Sequence, residues 1–116
     1  NCPKNAVAYT GTHDTPTFVQ WLFDEASEAE RQYAFDYLRL REDEGFGWGA
    51  VCGAWMSPCC LAIAPMQDLL GLGADARMNA PGTMGPENWS WRVREAALNP
   101  DVAGRLRQIT RTYRRT

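Results

Sequence analysis

Asp14 is the residue of this chain best placed to do chemistry. It closes the segment Tyr9-Thr10-Gly11-Thr12-His13-Asp14, where a short apolar strand rises into a polar loop. Thr15 and Pro16 follow as an expected N-cap and first helical residue. A carboxylate between a strand end and a helix start faces backbone N–H groups and the positive end of the helix dipole, which favour its charged form. A group of that kind stabilises positive charge or grips sugar hydroxyls. A second polar stretch, Met78-Asn79-Ala80-Pro81-Gly82-Thr83, lies far downstream and leads to Asn88-Trp89-Ser90-Trp91-Arg92. Proline and glycine fix that loop, and the Asn79 amide can donate and accept at once, which matches a sugar hydroxyl. Trp89 and Trp91 offer apolar faces for sugar rings. Being two residues apart they point oppositely in an extended chain, so at most one faces ligand, and core packing is the competing reading for each.

Acid–base or nucleophilic work on a glycosidic bond needs two further carboxyl groups, ~5 Å apart in a retaining mechanism. The remaining acids do not supply them. Asp24, Glu25, Glu28 and Glu30 fall on expected helices away from strand ends, and Glu42-Asp43-Glu44 forms a solvated helix exit. Cys2, Cys52, Cys59 and Cys60 show no C-x-x-C pair, and with the single His13 they match no common zinc spacing. Reduced thiols and no metal are the expectation.

The Gly11-Thr12-His13-Asp14 motif and the Met66-Gln67-Asp68-Leu69-Leu70-Gly71-Leu72-Gly73 and Arg77-to-Arg92 stretches, in this order, resemble the C-terminal part of the 4-α-glucanotransferases, also called amylomaltases or disproportionating enzymes. The resemblance runs from about Val7 to Trp91. It implies that Asp14 is the catalytic carboxylate that stabilises the oxocarbenium-like transition state, and that His13, Asn79 and Trp89 bind substrate. It further implies a maltodextrin or other α-1,4-glucan as substrate, a retaining double displacement, no cofactor, and a nucleophile and acid/base that come from earlier strands; a cytoplasmic location is the default expectation. Many members continue His-Asp with Asn-Asp-Thr, where this chain has Thr15-Pro16-Thr17. Gln67, Asp68 and Arg77 also match family positions; holding the loop is their expected role, with Asp68 as carboxylate partner of Arg77. The competing reading is a non-catalytic α-glucan-binding module.

Elements to position these residues can be read from the periodicity. Val7 to Thr10 is an expected strand. Phe18, Leu22, Phe23 and Ala26 give a helix from Pro16 to Ala26, and Ser27 with Glu30 forms a capping box for a second helix, Ala29 to Arg41, with Tyr33, Tyr37 and Leu40 on one side and Ala34 and Leu38 beside them. Trp48 to Met56 is an expected buried helix closed by Ser57-Pro58, and Cys60 to Ala64 a strand covered on both faces. A short turn at Gln67 to Leu70, a helix from Trp91 to Leu98 and another from Asp101 to Arg115 complete the chain. The class is α/β with two parallel strands. The family resemblance makes them the last two β/α units of a (β/α)8 TIM-type barrel, so residues 1–116 read as a partial catalytic domain truncated at its N-terminus, with the remainder of the barrel as its partner.

Composition excludes more than it identifies. The 116 residues carry a net charge of −2 and 45% apolar residues, ordinary for a globular chain. Arg105, Arg107, Arg111, Arg114 and Arg115 gather in the last helix, where dipole compensation and solvation account for them, so no nucleic-acid partner is expected. The apolar run from Pro58 to Met66 is far shorter than the ~20 residues of a membrane span, so no membrane is expected either.

Overall fold

The computed structural model describes residues 5–115. Two three-residue strands, β1 (Val7–Tyr9) and β2 (Leu61–Ile63), pair in parallel with Val7 opposite Leu61 and Tyr9 opposite Ile63. Between them run α1 (Phe18–Gln20), a π-helical turn (Trp21–Glu25), α2 (Glu28–Leu38) and α3 (Phe46–Met56). After β2 come α4 (Met66–Leu69), the 3₁₀ turns Ala74–Ala76 and Glu95–Ala97, and α5 (Pro100–Thr112). The α/β class and the parallel pair are as the sequence implies.

Helix starts follow the caps, with one shift. α1 begins two residues later than expected, capped by Thr17, whose hydroxyl accepts from Gln20 N at 3.1 Å. Thr15 closes the loop instead: its hydroxyl accepts from Thr12 N at 2.8 Å and donates to Thr12 O at 3.1 Å. The Ser27–Glu30 capping box forms as read. α5 starts at Pro100, with Asn99 accepting from Val102 N. Because Asn99 precedes a proline and is extended, the segment before it does not continue as a helix, and only the 3₁₀ turn Glu95–Ala97 forms where Trp91 to Leu98 had been expected helical.

The core gathers where α1, α2 and α3 meet. Leu22, Ala34 and Leu40 are buried, with Phe18, Trp21, Phe35, Leu38 and Phe46 packed around them. Tyr33 and Tyr37 share a side of α2 as read, but Leu40 does not join them: the tyrosines are 67% and 73% exposed and stack on each other at 5.8 Å, while Leu40 is buried. Arg39 explains this, because its left-handed conformation (φ 53°) ends the helix and folds Leu40 back onto the core out of helical phase. α3 is the buried helix expected, and two glycines let it approach its neighbours: a Cβ at Gly47 would overlap the Asp68 carbonyl, and one at Gly49 the Leu40 side chain.

α5 seals the outside of α3. The Arg105 guanidinium lies 4.1 Å from the Trp48 ring and donates to Glu44 O, and Trp55 Nε1 donates to Thr110 Oγ1. Arg115 donates to the carbonyls of Trp55, Ser57 and Cys59, satisfying the end of α3. Two of the clustered arginines therefore have defined partners. Cys59 is disulfide-bonded, contrary to the all-reduced expectation, while Cys52 and Cys60 are free; Cys2 lies outside the described residues. No helix among them is long and apolar enough to cross a membrane.

Only one face of the sheet is covered, which corrects the expectation for β2. Ala8 and Ala62 turn toward α3, whereas Val7, Tyr9, Leu61 and Ile63 are between 43% and 56% exposed on the other face. An open apolar face beside unpaired strand edges invites association. The isolated chain is expected to sediment above the 13.0 kDa of a monomer and to bind a hydrophobic dye, and replacing Leu61 and Ile63 by Lys to reverse both. Monomeric, dye-free behaviour of the unsubstituted chain in analytical ultracentrifugation would refute this.

Candidate functional site

The loops that leave the C-terminal ends of both strands meet above the sheet. Thr10 to Asp14 follows β1, and the segment from Pro65 through Trp89 follows β2. Asp68, on α4, joins them at the base. It is 1% exposed, accepts from the Phe18 amide at 2.8 Å through Oδ1, and accepts the Thr10 hydroxyl through Oδ2. The carboxylate at the start of α1 is therefore Asp68, whereas the sequence put Asp14 there. Nor is Asp68 the partner of Arg77.

Asp14 stands free of the helix, its side chain 50% exposed. Its Oδ1 accepts from Asn79 Nδ2 at 2.8 Å, and its Oδ2 lies 3.3 Å from His13 Nε2. The His13 ring in turn sits 5.1 Å from the Trp89 ring, tilted by 37°. The four residues singled out in the sequence thus converge from two loops more than sixty residues apart. Of the two tryptophans, Trp89 is the exposed one at 60%, and Trp91 is half-buried. Trp89 adopts a left-handed backbone (φ 62°), rare for a bulky residue, with its amide bonded to Met78 O.

The second loop is held by its amides and by Arg77. Asn88 accepts from Ala80 N and donates to Thr83 O and Oγ1, and Gln67 donates to Ala76 O at 3.0 Å. Arg77 donates through Nε to Asn79 O at 3.0 Å and through Nη2 to Asp14 O at 2.9 Å. Its Nη1 lies 3.9 Å from Glu25 Oε2. Glu25 had been placed away from the strand ends; the π-helical turn, closed by Ala26 N to Trp21 O, turns it toward Arg77. No pattern in the sequence announces that turn. Asn88 was legible only as a loop amide, and its spacing from Ala80 and Thr83 was the available signal.

Exposed carboxylate oxygens flanked by an amide, an imidazole and an indole face suit a neutral polyhydroxylated ligand: hydroxyls donate to Asp14, accept from Asn79 or His13, and the ring packs on Trp89. Among the described residues no cluster of His, Cys, Asp and Glu could hold a metal ion.

Three comparisons with known proteins converge on one family. A family model described as Glyco_hydro_77, 4-alpha-glucanotransferase, matches residues 1–98. A 4-alpha-glucanotransferase of Clostridium butyricum is 42% identical over 115 residues, covering 99% of this chain and 23% of its own length. One of Synechocystis is 48% identical over 111 residues, covering 96% and 22%. An amylomaltase of Streptococcus agalactiae, solved in complex with acarbose, superposes with a TM-score of 0.91 at 34% identity, covering 99% of this chain and 23% of that one. The chain thus spans less than a quarter of the length of these relatives.

Burial raises the Asp68 carboxyl above the usual carboxylate range, while the Phe18 amide and the Thr10 hydroxyl oppose the rise. A raised folded-state value means that the contribution of Asp68 to stability is complete below the ordinary Asp pKa of about 3.9 and is lost as pH rises through the folded value. Relative to Asp68→Asn, which does not titrate, the wild-type urea midpoint should fall between pH 4 and 7. Parallel profiles would contradict it. Asp68→Ala, which strands two part-buried donors, should cost about 1–3 kcal/mol for each at most.

Proposed function

The chain belongs to the 4-alpha-glucanotransferase family, and we propose that it forms the C-terminal part of that family's catalytic barrel, supplying the last two β/α units of a (β/α)8 fold. The exposed face of the sheet supports this: Val7, Tyr9, Leu61 and Ile63 are the bulky residues that fill a barrel interior, while Ala8 and Ala62 lie under a helix, as on a barrel's outer face. The site sits at the C-terminal ends of the strands, where barrel enzymes keep their chemistry.

The reaction is transfer of α-1,4-glucan segments between maltodextrins with retention. The observation that carries this reading is the convergence of Asp14 and Asn79, 2.8 Å apart, beside His13 and Trp89. Each Asp14 oxygen has one neighbour and keeps a lone pair for a glucosyl hydroxyl, so the carboxylate grips the ring while its charge opposes the positive charge that develops at the anomeric carbon. Asn79 and His13 orient the carboxylate and bind hydroxyls, and Trp89 packs against a sugar ring. The nucleophile and the acid/base belong to segments outside residues 1–116; they form and release a covalent glucosyl intermediate, which the 4-hydroxyl of an acceptor glucan resolves. No cofactor is called for.

Residues 1–116 alone should release no glucose from maltotriose. Grafted in place of the matching segment of the Clostridium butyricum relative, they should support disproportionation to glucose and longer dextrins. In that chimera Asp14→Asn should lower kcat by about 1000-fold, with a far smaller change in KM, as for loss of a charge that acts in the transition state. A folded but inactive chimera that still binds maltodextrin would favour the non-catalytic binding module. Unchanged kcat in Asp14→Asn would remove Asp14 from the mechanism.

A further inference from the structure

The bond between Asn79 and Asp14 cannot hold the site together by itself. Both side chains reach solvent, and an exposed polar contact of this kind is worth well under about 1 kcal/mol, too little to keep two loops from separating. The His13–Trp89 ring contact is also at the surface. Arg77 differs: its side chain is only 20% exposed, and its three nitrogens have three separate partners, Asn79 O, Asp14 O and the Glu25 carboxylate. The guanidinium is a rigid planar fork, so bonding two carbonyls on different loops fixes the spacing between them. Its own base is fixed as well, since Gln67 holds the carbonyl of Ala76, which is 2% exposed.

From this geometry we propose that Arg77 is a positioning residue for the transferase reaction: its fork sets the Asp14 and Asn79 main chains in register so that their side chains meet, and Glu25 aims the fork. The inference rests on the proposed function. Its content is that Arg77 acts through Asp14 and Asn79 without touching sugar. Glu25, on the π-helical turn after α1, then links the helix that follows β1 to the loop that follows β2, and the site is braced from both strands.

The test uses the active chimera described above, with Arg77→Ala, Arg77→Lys, Glu25→Gln, Asn79→Ala and the Arg77→Ala/Asn79→Ala pair. Arg77→Ala should lower kcat about 100-fold, the scale of a misplacement of about 1 Å, with KM for maltotriose within about threefold. Arg77→Lys should recover at most about a tenth of that kcat loss, because one ammonium is a point donor and does not span both carbonyls. Glu25→Gln should lower kcat by less than about tenfold. The double variant should be no slower than the worse single one, the signature of residues acting as a unit. Circular dichroism separates lost fold from lost geometry. Wild-type kcat in a folded Arg77→Ala chimera, full rescue by Lys, or effects of Arg77→Ala and Asn79→Ala that multiply would each overturn the inference while leaving the proposed function intact. Inactivity of the unsubstituted chimera would overturn the proposed function and this inference with it.

Discussion

A buried carboxylate with no ion-pair partner among the described residues organises this chain. Asp68 stands on α4, accepts the first amide of α1, and takes the hydroxyl of Thr10 at the end of β1. Its own carbonyl lies against Gly47, where any side chain would force α3 away. Four elements therefore meet at one residue. Burying a carboxyl is costly unless its oxygens are hydrogen-bonded, so the arrangement tolerates little loosening. The two donors are held in place by the strand and by the helix start, which is why the loops above them have a fixed floor.

That division of labour leaves Asp14 available. A carboxylate bonded to helix N–H groups has its lone pairs directed inward, away from any ligand. Here Thr17 caps α1 through its hydroxyl, Asp68 takes the Phe18 amide, and the loop from Thr12 to Thr15 closes on its own threonine hydroxyls. Asp14 is left above the floor with one amide and one imidazole near its oxygens. Within Thr15-Pro16-Thr17 the cap is thus Thr17, two residues beyond the expected Thr15.

The sequence carried the site better than it carried the supports. Asp14, His13, Asn79 and Trp89 stand out by residue type next to glycine and proline, and such local chemistry is legible in one dimension. The capping box at Ser27 and the cap at Asn99 were equally local. What failed to show depends on contacts distant in sequence. Thr17 and Thr15 are indistinguishable caps until Asp68, some fifty residues later, claims the Phe18 amide. Tyr33, Tyr37 and Leu40 fit one stripe of α2 until Arg39 turns left-handed and sends Leu40 alone into the core. Glu25 reads as an ordinary helical acid because a π-helical turn shifts a residue's direction without changing its apparent period.

The sheet makes the same point about scale. Cys60 to Ala64 reads as a strand buried on both faces, and in this chain only the Ala8 and Ala62 face is covered. The composition of a strand reports the environment for which it was selected, and four large apolar side chains at Val7, Tyr9, Leu61 and Ile63 are costly to leave in water. The covered face is lined by two alanines, small enough for α3 to lie close, and the open face by side chains large enough to fill a barrel. Relatives about four times as long carry this same segment. Its site loops, braced by Asp68 from below and joined by Arg77 across the top, make these polar contacts within residues 5–115, whereas its apolar face is exposed. The polar framework of the site is thus set locally by the two strand ends, while the apolar face of the sheet beneath it stays open.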